Sequence, residues 1–132
     1  MNRVIARFAD GHLEKGTTLD FFPGREHFHV VPRAPTEREI PLAIRTADLK
    51  ALFFVKDFMG DPLHVERQEF DSAPAPEALR ILTRFTDGEV LVGTTVAYHP
   101  GIPGFFVTPA DSTSNNERCY VISSSTDEVR VI

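Results

Sequence analysis

The sequence predicts an all-β protein of two tandem five-stranded small barrels packed together, with a short helical turn before each last strand. Three observations carry this reading. Arg7-Phe8-Ala9-Asp10-Gly11 returns 77 residues later as Arg84-Phe85-Thr86-Asp87-Gly88. The correspondence runs without a gap from Arg7–Pro32 to Arg84–Pro109, with 12 identities in 26 positions. Both stretches alternate apolar and polar residues with the period of two that marks strands. An internal repeat of this length sets the architecture before any single element does. The chain divides into a first barrel over residues 1–58, a linker over 59–78 and a second barrel over 79–132.

The elements follow in order. Val4, Ala6 and Phe8 alternate with Ile5 and Arg7, and Asp10-Gly11 closes this first strand with a hairpin signal. A second alternating run begins at Leu13 and reappears as Val90, Val92, Thr94, Val96 and Tyr98. It carries an internal glycine, Gly16 or Gly93, as a strand does where it bends or meets another backbone closely. Pro23-Gly24 and Pro100-Gly101 are turns, and Phe28 with Val30 and Phe105 with Val107 start the third strands. Glu37-Arg38 matches Glu117-Arg118 at a spacing of 80, which implies three extra residues in the second copy within Asp111–Asn116. On that register the fourth strands are Glu39–Arg45 and Cys119–Ser125. The helical turns are then Thr46–Lys50 and Thr126–Arg130, and the last strands Ala51–Lys56 and Val129–Ile132. In the linker, Leu63, Val65 and Arg67 alternate with His64, Glu66 and Gln68 as a short extra strand would, ahead of the stiff Ser72-Ala73-Pro74-Ala75-Pro76.

Four strands, one helical turn and a fifth strand resemble the small barrels of the Sm and Src-homology-3 type. The Asp-Gly turn and the strand with an internal glycine match the Sm-like pattern best. The whole chain is also similar to uncharacterised bacterial proteins with tandem F-x-D-G…G-T-T segments, a domain of unknown function. The Sm resemblance implies edge-to-edge joining between fourth and fifth strands.

Composition narrows the function. The 132 residues are 42% hydrophobic and 25% charged, with eleven Phe and no Trp, as a folded domain requires. A formal net charge of −5 disfavours nucleic acid and anionic membrane as partners. No apolar run approaches the ~18 residues of a membrane helix, and the first residues read as a strand rather than a signal peptide. The single cysteine, Cys119, has no intramolecular partner. The expectation is a cytoplasmic protein.

Few residues suggest chemistry. His27 and His29 point the same way on a strand, but Gly104 and Phe106 replace them in the second copy and no third ligand is evident, so no metal site is assigned. Asp10 and Asp87, with Arg7 and Arg84 three residues before, are accounted for by turn chemistry; a paired ligand groove is the functional reading. Gly16-Thr17-Thr18 is not a phosphate loop, because no helix follows. Arg38 and Arg118 at the fourth-strand entrances suit either an anion or an ion pair with Asp10 or Asp87. Phe22 and Phe106 lie opposite the core parity of Phe21 and Phe105, so they form an interface between the barrels or a surface for a partner.

No catalytic constellation and no cofactor motif stands out, so the expectation is a non-enzymatic protein-interaction or adaptor module that binds by strand addition. The partner is a protein, either another chain or a second copy. A small-ligand or nucleotide sensor using Arg38 and Arg118 is the alternative. RNA binding is third, disfavoured by charge.

Overall fold

A computed structural model describes residues 2–33, 40–70 and 77–132. Among them are ten strands: β1 (Asn2–Phe8), β2 (Leu13–Thr18), β3 (His27–Pro32), β4 (Leu42–Arg45), β5 (Leu49–Val55), β6 (Leu79–Phe85), β7 (Val90–Thr95), β8 (Gly104–Pro109), β9 (Asn116–Ile122) and β10 (Thr126–Val131). The only helical elements described are two 3-10 turns, Thr46–Asp48 and Ser123–Ser125. All ten strands pair antiparallel in a single sheet, in the order β10-β6-β7-β8-β9-β5-β1-β2-β3-β4. The sheet is open, with β10 and β4 at its ends, rather than closed as a barrel. Each copy contributes five strands in the same internal order. β5 of the first copy pairs with β9 of the second and fuses the two halves.

The pairing corrects the register of the repeat. His27 faces Arg45 as Gly104 faces Ile122, and Val4 faces Phe54 as Ile81 faces Val131. The 77-residue spacing therefore holds to the end, and the expected three-residue insertion does not exist. Glu117-Arg118 corresponds to Ile40-Pro41, not to Glu37-Arg38, and Cys119 corresponds to Leu42. A chance Glu-Arg match set the wrong register; a sheet with buried faces tolerates no such slip, because it would move core residues to solvent. In the second copy the fourth strand, the helical turn and the last strand shift with it, to Asn116–Ile122, Ser123–Ser125 and Thr126–Val131, whereas in the first copy they lie close to where they are expected. Thr126–Arg130, expected as a turn, lies in β10 because its backbone is taken up by pairing with β6. The extra strand expected over residues 63–68 is not formed.

The fused sheet has a core on each face. Ala51 pairs with Val121 and Phe53 with Cys119, and all four pack in the second copy's core with Ile81, Phe85, Phe105 and Val107. Leu52 pairs with Tyr120, and both join Val4, Ala6, Phe28 and Ile44 in the first copy's core, on the opposite face. β5 is consequently buried along its whole length. Its near-continuous apolar sequence is that of a strand covered on both faces. Phe53 and Phe54, adjacent on the strand and so on opposite faces, enter different cores. β10, the equivalent strand of the second copy, carries Asp127, Glu128 and Arg130 instead and stays at the edge.

Local chemistry fixes the turns and bends. Asp10 and Asp87 accept the backbone N–H of His12 and Glu89, while Gly11 and Gly88 take φ of +98° and +92°. The turn reading of the repeated Asp-Gly pair is thereby met. Lys50, 9% exposed, crosses between copies to Asp87 at 2.7 Å and to Glu89. Its hydrogen bond is the first cause that holds the Asp87 carboxyl below its ordinary range. A strap leaves β5 and is latched to the loop before β9, where Asn115 exchanges hydrogen bonds with the Asp57 backbone at 3.0 and 2.7 Å.

Candidate functional site: the cleft between the repeats

The two copies meet again where each third strand begins and each fourth strand ends. In both copies a hydroxyl latches these ends together. Thr46 N–H donates to the Glu26 carbonyl at 2.8 Å and its hydroxyl to the Arg25 carbonyl at 3.1 Å. Ser123 N–H donates to the Pro103 carbonyl at 2.9 Å and its hydroxyl to the Ile102 carbonyl at 2.6 Å. The same small latch is thus built twice from equivalent positions. The two latches stand on either side of a cleft of about 310 Å³.

Equivalent positions carry opposite chemistry on the two walls. The first copy presents Glu26, Arg45 and Ala47; the second presents Pro103, Ile122 and Ser124. Tyr120 and Ile122 belong to the first copy's core, so that wall is rigidly packed. Tyr120 stacks edge-on with Phe21 and Phe106 at 5.1 and 5.0 Å. Room for the Tyr120 ring depends on Gly104: a Cβ there would lie 2.5 Å from its Cζ. Burial raises the Tyr120 phenol above its ordinary pKa, so it stays protonated and able to donate. Its hydroxyl makes no hydrogen bond among the described residues. Arg45 is 63% exposed, and its one described ion pair, to Asp48, is long at 3.8 Å. Arg25 rests over the Phe22 ring at 5.4 Å and, among the described residues, donates to the Asp20 carbonyl at 3.5 Å.

The expected site residues are only partly brought together. Arg118 lies over the rings of Phe54 and Phe106, 4.3 and 4.7 Å from their centroids. It pairs with neither Asp10 nor Asp87, whose partners are His12 and Lys50. Phe106 packs against the first core, which places it at the junction of the copies. Phe22 is 56% exposed and sits apart from that pair, beneath Arg25. Arg38 lies outside the described residues. His29 binds Asp20 through both ring and backbone at 2.7 and 2.8 Å, and His27 is exposed. Cys119 is fully buried, and burial pushes its thiol far above the ordinary range, so no reactive thiolate forms there.

The departures from the repeat now have a reason. His29, Ala43 and Arg45 of the first copy correspond to Phe106, Tyr120 and Ile122 of the second. The second set faces the first copy's core; the first set faces solvent or the cleft. Cleft residues such as Arg25, Arg45 and Tyr120 give no signal in the sequence, because they stand where the two copies differ and meet only across the fused sheet.

A family model matches residues 1–132, the whole chain. The chain belongs to DUF6982, a family of unknown function. No curated protein and no solved structure matches it. The function of a DUF6982 chain must therefore be argued from the cleft itself.

Proposed function

We propose that this protein is a non-enzymatic binding module that captures an extended, acidic segment of another protein at the inter-repeat cleft. Each five-strand run, rolled about its own core, is read as a small Sm-like or SH3-like barrel left open at one edge. The carrying observation is the mismatch of the two cleft walls: Ile122, Pro103 and Tyr120 on one side, Arg45 and Arg25 on the other. An apolar side chain fits the first wall, and a carboxylate suits the two guanidiniums and the unpaired Tyr120 hydroxyl. About 310 Å³ is the lower end of ligand-pocket size and suits one anchoring side chain.

Strand addition supplies the rest of the contact. β4 is an end strand and leads directly into the cleft wall at Arg45 and Thr46. The other end strand, β10, is blunted by Asp127, Glu128 and Arg130, with Glu128 tied to Arg84 and Arg130 at 3.5 and 3.0 Å. β4 has four residues, Leu42 to Arg45, so added backbone bonds are few and the cleft must set specificity. The net charge of −5 does not oppose this locally. At physiological salt, charges beyond about 8 Å are largely screened, and the two arginines dominate the cleft. Glu26 selects against a second acidic group on its side.

Selection of displayed peptides on the full chain tests this reading. The expected winners carry a carboxylate beside a bulky apolar residue, and Arg45→Glu weakens them by about 10-fold or more, as losing a charge-assisted contact of ~1.5–3 kcal/mol requires. Enrichment of basic peptides, or binding indifferent to Arg45→Glu, contradicts it.

A further inference from the structure

We propose that His64, Glu66 and Asp111 form a site for a divalent transition-metal ion of the zinc type, which clips the inter-repeat strap onto the second copy. One ligand atom from each lies within 4.8 Å of the others. His64 Nε2 is 3.0 Å from Asp111 Oδ2 and 3.4 Å from Glu66 Oε2. With metal–ligand bonds of about 2.1 Å, neighbouring ligand atoms lie about 3.0 Å apart at right angles and about 3.4 Å apart at the tetrahedral angle. Both spacings from His64 Nε2 are those of one coordination sphere.

His64 Nε2 supplies a second observation. The atom is buried, yet hydrogen-bond geometry is met with neither nearby carboxylate. An imidazole nitrogen facing two carboxylates without a hydrogen bond is disposed for a cation between them. Asp111 is held as metal-bound carboxylates commonly are, by outer partners. Its side chain is completely buried. Thr113 donates to Oδ1 through its backbone at 2.9 Å and its hydroxyl at 2.6 Å. Arg67 donates to Oδ2 through its backbone at 2.9 Å and to Oδ1 through Nη2 at 3.2 Å. Two carboxylates against one guanidinium leave the cluster negative and able to attract a dication.

The donor set limits the ion. One imidazole with two carboxylates suits zinc and its first-row neighbours, whereas calcium takes six to eight oxygens. The His64 and Glu66 side chains are 27% and 33% exposed, so the cluster borders solvent on their side. The strap segment bearing them has no ladder of its own, so an ion here fastens chain that the sheet does not hold. This site is independent of the peptide cleft.

Titration calorimetry of the full chain with Zn²⁺, after stripping with a chelator, tests the proposal. The expected result is one ion per chain, undisturbed by excess Ca²⁺. His64→Ala is expected to weaken it by at least ~10-fold, the lower end of what losing even an outer-shell partner costs. Glu66→Gln should weaken it too, and His27→Ala with His29→Ala should not. The same His64→Ala chain without metal should melt as the metal-free parent does, which separates ligand loss from misfolding. Absence of stoichiometric binding overturns the proposal. So does binding that survives His64→Ala or disappears with the His27 and His29 changes.

Discussion

Phe53→Ala is expected to destabilise the entire chain by about 3–5 kcal/mol, the usual range for emptying a buried phenylalanine site. Phe53 is encoded in the first copy but packs in the second copy's core with Ala51, Val55 and Cys119. The side chain is 6% exposed and lies on the central strand β5. The loss therefore falls on the element that both halves share. Urea unfolding followed by far-ultraviolet circular dichroism should show one transition, moved to lower denaturant with little change in slope. A cost below about 1 kcal/mol is the range of an exposed position and contradicts the shared packing of β5. Phe54→Ala, one residue on, should produce a similar loss through the opposite core.

Gly93→Ala is expected to cost roughly 2–3 kcal/mol, the range of an overpacked interior. The cause is contact, not backbone strain. A Cβ on Gly93 would overlap the Thr108 carbonyl oxygen and lie 2.6 Å from Val107 Cγ1. The carbonyl belongs to the β7–β8 pair and cannot retreat without breaking it. Gly16→Ala meets the same obstacle at the Val31 carbonyl, so both copies should respond alike. Gly88→Ala makes a sharp comparison. Its φ is +92°, but nothing lies within 4 Å of the added methyl. That change should cost only about 1 kcal/mol, the lower end for a strained backbone residue. Thermal unfolding of the three variants checks the order. An equal loss at Gly88 and Gly93 would assign the repeated in-strand glycine to conformation rather than to close approach.

Much of the scaffold was legible because it was repeated. Asp-Gly, the in-strand glycine and Pro-Gly act locally, through turn geometry and short contacts, and the sequence shows them twice. Registers beyond the third strand were not legible, since a coincident Glu-Arg outweighed the true spacing. Strand pairing resolves it, His27 with Arg45 against Gly104 with Ile122 and Val4 with Phe54 against Ile81 with Val131. The fusion of the two copies was half visible. Adjacent Phe53 and Phe54 put large apolar side chains on opposite sides of one strand, but nothing local shows that β9 covers it. The cleft was hidden for a physical reason. Arg45 and Ile122 come together only through the long-range β5–β9 ladder, and no local pattern encodes that meeting. His64, Glu66 and Asp111 were hidden likewise, because their cluster depends on how the strap docks.

The central claim is that the two repeats are one cooperative unit joined through β5 and β9. Native-state hydrogen exchange of the full chain tests it most directly. Amides of Ala6 and Phe54 in the first half should share one opening free energy with those of Leu82 and Val107 in the second, equal to that of global unfolding. Two separate classes, with one half opening well below the other, would contradict the account and make the repeats independent domains that merely touch.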